Sequence, residues 1–284
     1  LLTTEPICVP VWGTQLTTPH VSDKYASVRL RTEIANAGNK HIRIVTEIIS
    51  PDGKVVAAKD NTRKINHGQP FEQNFLVDAP ALWSPETPRL YKASSKIYAD
   101  GRLVDEYTTR FGIRSIEIVA DKGFFLNGEH LFFKGVNVHQ DQAGWGDAVT
   151  EAAMRRDILL MKEAGFDLIR GSHYPHAPAF SQACDEEGML FWSEAPFWGI
   201  GGFRPDGYWD SSAYPVDKKD AQAFEASALQ QLEEMIRIHR NHPSIVAWSM
   251  CNEAFFSAPE AMKGVRRLLK RMVDLTHQLD PSRP

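Results

Sequence analysis

Four apolar stretches of this 284-residue chain each end in side chains able to exchange hydrogen bonds with a ligand or move a proton. The first ends in Asn137 and His139. The second carries Arg170 and ends in Ser172-His173-Tyr174. The third ends in Ser193-Glu194 and the fourth in Asn252-Glu253. In a barrel of parallel strands, reactive groups sit where strands end and loops begin. One polar group closing a strand is ordinary, but four converging on one rim make a candidate site.

Each residue carries a functional and a plainer reading. Glu253 follows an apolar run and precedes Ala254-Phe255-Phe256. Aromatic surface there would desolvate the carboxyl and raise its pKa, as suits a general acid near neutral pH. The competing role is a carboxylate that caps the next loop. Asn252 could bond a substrate hydroxyl or brace the turn. Arg170 inside a strand is costly to bury without a partner, so a carboxylate is expected beside it, structural as easily as catalytic. His139 and His173 could donate to sugar hydroxyls or be satisfied within the fold. For Glu194 three roles stay open: second catalytic carboxylate, partner of Arg170, or metal ligand, with the supporting role taken first. Trp145, Trp192, Trp198, Trp209 and Trp248 could stack on pyranose rings, although Trp192 and Trp248 lie within strands and are expected to pack in the core.

No metal is expected. The chain has no H-E-x-x-H, and His173 and His176 flank Pro175, which is not a helical pair. Cys8, Cys184 and Cys251 lack ligand spacing and read as isolated thiols, leaving the redox compartment open.

These residues need elements to hold them. Residues 1–114 read as β structure. Ala26, Val28, Leu30, Thr32 and Ile34 alternate on one face of a strand, as do Ile42, Ile44, Thr46 and Ile48. Asp100-Gly101 is a two-residue hairpin signal. Such strands suggest a sandwich of immunoglobulin-like size in a supporting role. After Gly112 the period changes. Strand-like runs at 132–139, 167–173, 190–194 and 244–250 alternate with helices at 150–164, 179–187, 220–239 and 259–279. Thr150 is placed to cap the first helix, and Gly165 and Gly188 to stop the first and second. Strand–helix alternation signals a parallel sheet. A full eight-unit barrel needs about 250 residues, so the 170 residues from 115 to 284 hold either a small α/β domain or half a barrel.

Composition narrows the partners. A net charge of −4 gives no reason to expect nucleic acid or an anionic membrane surface. No apolar run approaches the roughly 20 residues of a membrane span. The first residues, Leu1-Leu2-Thr3-Thr4-Glu5, read as a cut inside a longer polypeptide rather than a signal peptide.

Taken in order, several motifs resemble glycoside hydrolase family 2, which includes β-galactosidases, β-glucuronidases and β-mannosidases. They are Leu82-Trp83-Ser84-Pro85-Glu86-Thr87-Pro88, Phe111-Gly112-Ile113-Arg114, Phe125-Leu126-Asn127-Gly128, Lys134-Gly135-Val136-Asn137-Val138-His139, Arg170-Gly171-Ser172-His173-Tyr174-Pro175, Asn241-His242-Pro243-Ser244-Ile245 and Trp248-Ser249-Met250-Cys251-Asn252-Glu253. The resemblance implies a multidomain β plus α/β chain: an immunoglobulin-like sandwich at 1–114, then the N-terminal half of a TIM (β/α)₈ barrel, its first four βα units, at 115–284. It implies Glu253 as acid/base, with Arg170, His139, His173 and Asn252 in the substrate site and Arg170 touching the nucleophile. Glu194 and Trp198 are placed beside the site.

Two departures follow. The family's nucleophile is a glutamate on the seventh barrel strand, beyond Pro284, so this chain alone is expected to be nearly inactive. The Glu-x-His magnesium site of some members is replaced by Ala195-Pro196-Phe197-Trp198-Gly199-Ile200, so neither metal nor other cofactor is expected. The resemblance implies a retaining exo-β-glycosidase acting on a carbohydrate, β-galactoside first and β-glucuronide or β-mannoside next. A reading of another class is a non-catalytic carbohydrate-binding scaffold. Half a barrel would expose unpaired strand edges, so self-association is expected.

Overall fold

A computed structural model describes residues 3–65, 68–199 and 201–283. It divides into two compact units, Leu1–Phe132 with Arg240–Pro243, and Phe133–His239 with Ser244–Pro284.

Among the described residues of the first unit, seven strands up to Phe111 form two antiparallel sheets. They are β1 (Thr14–Val21), β2 (Tyr25–Thr32), β3 (His41–Ile49), β4 (Val55–Lys64), β5 (Phe71–Asp78), β6 (Tyr91–Ala99) and β7 (Arg102–Phe111). One sheet runs β1-β2-β5 and the other β4-β3-β6-β7. The period-two pattern does the work: Ala26, Val28, Leu30, Ile42, Ile44 and Ile48 are all within 1% of full burial. Inward polar positions pair with each other, Thr46 Oγ1 donating to Gln73 Oε1 at 2.7 Å and Thr14 meeting Thr109 at 2.8 Å. Asp100 and Gly101 join β6 to β7 with φ of 51° and 78°, the left-handed pair that a type I′ hairpin requires. A small antiparallel sheet follows: β8 (Ile116–Val119), β9 (Gly123–Leu126) and β10 (Glu129–Leu131).

The second unit alternates β11 (Gly135–Val138), α1 (Glu151–Glu163), β12 (Leu168–Gly171), α2 (Pro178–Glu187) and β13 (Leu190–Glu194). A short hairpin, β14 (Gly202–Phe203) and β15 (Trp209–Asp210), precedes α3 (Ala221–His239), β16 (Ile245–Ser249) and α4 (Met262–Leu279). The four long strands are parallel in the order β11-β12-β13-β16. Thr150 caps α1 by accepting the Ala153 N–H at 3.3 Å, and Gly188 ends α2 in the left-handed conformation at φ 69°. Val136, Ile169, Phe191 and Ile245 share one face and pack with Ile158, Leu232, Ile236, Leu268 and Met272 of the helices. The opposite face carries Asn137, Arg170, Trp192 and Ala247 in register.

That register corrects one expectation. Trp192 does not pack in the core but is 39% exposed, because it lies on the face that no helix of the second unit covers. Trp248, on the other face, is 5% exposed and donates its Nε1–H to Asp280 at 3.0 Å. The first strand-like run is also shorter than 132–139, and Phe132 is 80% exposed outside it.

Candidate functional site

The site is organised around Glu194. Its backbone closes β13, and the strand register turns its side chain to the same face as Arg170 and Ser249. The carboxylate is fully buried. Arg170 donates from Nε to Oε2 at 3.1 Å and from Nη2 to Oε2 at 2.8 Å and Oε1 at 3.2 Å. Ser249 Oγ donates to Oε2 at 2.8 Å, and His173 Nδ1 lies 2.7 Å from Oε1. A carboxylate only accepts, so Nδ1 carries the proton in that contact and Nε2 is left as the imidazole's other nitrogen. A buried ion pair is tolerable only when its remaining lone pairs are satisfied, and here both oxygens are.

Arg170 extends the network sideways. Its Nη2 also donates to Asn252 Oδ1 at 2.9 Å, which points the amide nitrogen of Asn252 elsewhere. The His139 ring meets His173 edge-on at 5.1 Å, and the Trp198 ring lies 6.4 Å from His173. Five residues singled out in the sequence, His139, Arg170, His173, Glu194 and Asn252, thus form one contiguous group with Trp198 at its margin.

Local packing explains the loop after β12. A Cβ on Gly171 would come within 2.7 Å of the Phe191 ring and 2.8 Å of His176 Nδ1, so only glycine fits. His176 is 2% exposed, stacks on Tyr174 and contacts Phe180 and Phe191. Burial lowers its pKa, which keeps the ring neutral. The Tyr174 hydroxyl accepts the Gln140 N–H at 3.0 Å, and Gln140 Oε1 accepts the Ala177 N–H at 2.8 Å, tying the ends of β11 and β12 together.

Glu253 is built differently. It is exposed, and so are Phe255 at 69% and Phe256 at 59%, so the desolvation expected from those rings is not found. Among the described residues its carboxylate makes no hydrogen bond or ion pair. Its backbone has φ of 47°, a left-handed conformation that costs a non-glycine residue roughly 1–2 kcal/mol. Its neighbours hold it there: Asn252 N–H donates to the Phe197 carbonyl at 3.0 Å and Phe256 N–H to the Glu253 carbonyl at 2.9 Å.

Ser249 was missed by the sequence reading. The signal was available, since it stands two residues after Ala247 on the strand face that bears Arg170 and Glu194. Among the described residues no group of three or more His, Cys, Asp or Glu is arranged to hold a metal ion.

Comparison with known proteins gives this geometry a family. Residues 11–114 match the family described as glycosyl hydrolases family 2, and residues 117–284 match its TIM barrel domain. A β-glucuronidase of Bacteroides fragilis is 32% identical over all of this chain and 40% of its own length. A β-galactosidase of Thermoanaerobacter pseudethanolicus is 32% identical over 96% of this chain and 35% of its own length. The crystal structure of a family 2 member from Bacteroides cellulosilyticus superposes with a TM-score of 0.85 at 30% identity, covering 99% of this chain and 35% of that one. The chain therefore spans about two fifths or less of the length of these relatives. It belongs to glycoside hydrolase family 2 and comprises the family's immunoglobulin-like sandwich followed by the start of its TIM barrel domain.

Proposed function

We propose that these residues are part of a retaining exo-β-glycosidase in which Glu253 is the acid/base and His139, Arg170, His173 and Asn252 hold the sugar. The observation that carries this reading is the contrast at the rim: a satisfied network around Glu194, and beside Asn252 a carboxylate with no partner among the described residues. Glu253 would protonate the glycosidic oxygen as the bond breaks, then take a proton from the water that releases the sugar. Asn252 Nδ2 and His173 Nε2 are donors or acceptors left over from the network and suit ring hydroxyls. We further read 1–114 as the sandwich and 115–284 as the first four βα units of the barrel.

Retention needs a second carboxylate about 5–5.5 Å away to form the glycosyl ester. Glu194 does not suit that role, because both oxygens are engaged and the group is fully buried. We therefore assign the nucleophile to a residue outside these 284 and expect the chain alone not to turn over.

β-Galactoside is the preferred substrate. Arg170 is already neutralised by Glu194, so this part of the rim offers a uronate carboxylate no unspent guanidinium. A β-glucuronide is the second reading, favoured by the name of the relative that aligns along the whole chain.

A panel of aryl β-galactoside, glucuronide, mannoside and glucoside tests these statements against a Glu253→Ala control. No turnover above the control is expected from the 284-residue chain. Turnover that the control abolishes would place a second carboxylate within it and sink the nucleophile assignment. A longer polypeptide carrying these residues should cleave the galactoside first. Full activity in its Glu253→Gln variant would favour a non-catalytic scaffold role or a different acid. The exposed Trp192 face and the sheet edges at β11 and β16 also lead us to propose self-association of the chain. A sharp monomer boundary in sedimentation at micromolar concentration would count against it.

A further inference from the structure

After β15 the chain returns through Ser212, Ala213 and Tyr214 before entering α3, and this return is fastened at two levels. Tyr214, 4% exposed, donates its hydroxyl to Glu225 Oε1 of α3 at 2.6 Å. Glu225, itself 6% exposed, pairs with Arg267 and, at 2.5 Å, with Arg271, both of α4. The Tyr214 ring lies flush on α4: a Cβ on Gly264 would come within 2.6 Å of its Cζ. Hydroxyl and ring are thus both fixed to the helix layer.

The residues just before Tyr214 hold the segment that follows Glu253. Ala213 N–H donates to the Phe256 carbonyl at 3.1 Å, and Ala258 N–H to Ser212 Oγ at 3.3 Å. Phe256 N–H in turn closes the turn onto the Glu253 carbonyl. A left-handed glutamate persists only where its surroundings over-determine it, and these bonds supply that constraint from the C-terminal side.

We infer that Glu225, acting through Tyr214, is a positioning residue for Glu253, a strap that transmits the rigidity of the α3–α4 layer to the acid/base turn. The inference deepens the reading of Glu253 as acid/base and rests on it. Burial acts to raise the Glu225 pKa, but the hydrogen bonds from Tyr214 and Arg267 and the charges of Arg267 and Arg271 outweigh it. The acceptor therefore stays ionised at neutral pH, and a charged acceptor makes the stronger hydrogen bond.

Amide hydrogen exchange on the 284-residue chain tests the strap in wild type, Tyr214→Phe, Glu225→Gln and Gly264→Ala. Tyr214→Phe, which removes one oxygen, should raise exchange at the Ala213 and Ala258 amides about tenfold, the worth of one hydrogen bond. Gly264→Ala should do the same by displacing the ring, even though alanine favours a helix. It keeps the inference testable if Glu225→Gln fails to fold. Amides of α1 and α2 should change less than about twofold. Unchanged exchange at 213 and 258, or a rise spread equally over α1 and α2, overturns the strap. In a form that cleaves aryl β-glycosides, Tyr214→Phe should lower kcat about tenfold with KM nearly constant, as loss of acid alignment requires. Faster exchange with unaltered kcat would make the strap structural only. If exchange responds as stated while Glu253→Gln keeps full activity, the strap stands and the acid/base reading falls.

Discussion

Strands β13 and β16 lie side by side, and each leads into a glutamate, yet the two ends are built in opposite ways. Glu194 is buried, with a guanidinium, an imidazole and a hydroxyl on its two oxygens. Glu253 is exposed, without a side-chain partner among the described residues, and held on a backbone that an L-residue adopts at a cost. Burial with full hydrogen bonding fixes a charge and takes it out of reach of a substrate. Exposure on a constrained turn leaves a carboxylate accessible from solvent. The same residue type, on strands adjacent in space with two others between them in sequence, is thus a buried hub in one place and an exposed carboxylate in the other.

Removing the hub should have the largest effect. Glu194→Ala leaves Arg170 without its counter-charge, and breaking one side of such a pair should cost about 3 kcal/mol, the low end for buried pairs because Arg170 keeps some solvent contact. Urea denaturation measures it, and a loss below about 1 kcal/mol would break the contrast. A second carboxylate tests the same rule on the other face of β16. Asp280 is 1% exposed. Burial raises its pKa, but the Arg283 charge and hydrogen bonds from Ser282, Trp248 and Arg283 win and hold it below the usual carboxylate value. The folded value being depressed, its contribution is fully present above the unfolded pKa near 3.9 and is lost as pH falls through the folded value. Thermal midpoints followed down that range should fall less steeply in Asp280→Asn than in wild type. Ser249→Ala removes one donor from Glu194 and should cost about 1–2 kcal/mol.

The smallest effects belong to Glu253. Glu253→Gln should change stability by less than about 0.5 kcal/mol, as for other exposed sites. Glu253→Gly should stabilise the fold by up to about 1 kcal/mol by relieving the left-handed conformation. A destabilised glycine variant would show that the side chain is held by more than its backbone.

Much of this was legible in the sequence, and the reasons are local. The alternation at 26–32 and 42–48, the Asp100-Gly101 turn and the Thr150 cap depend on neighbours a few residues away. Strand ends rich in polar residues also pointed to the rim, because parallel strands bring those ends together whatever lies between. What escaped depends on register and distant partners. The exposure of Trp192 follows from which face of β13 the helices cover, which no count along LFWSE determines. Glu225 stands on a helix that carries several other charges, and nothing along the helix marks it as buried. Its burial depends on Tyr214, Arg267 and Arg271, up to 46 residues away. Asn241, whose Oδ1 accepts the Leu16 N–H at 2.8 Å, belongs with the sandwich unit although it lies between α3 and β16. Only the folded chain reveals such a detour.

The positive φ at Glu253 also bears on how variants of this protein would be chosen. A library screened only for folded yield or heat resistance would enrich glycine, and then asparagine, at position 253, because both tolerate that backbone better than glutamate. The winners would express well and look improved by every physical assay. On the reading above, they would have discarded the proton donor, so any stabilising campaign on this sequence should hold that codon fixed or couple the screen to turnover.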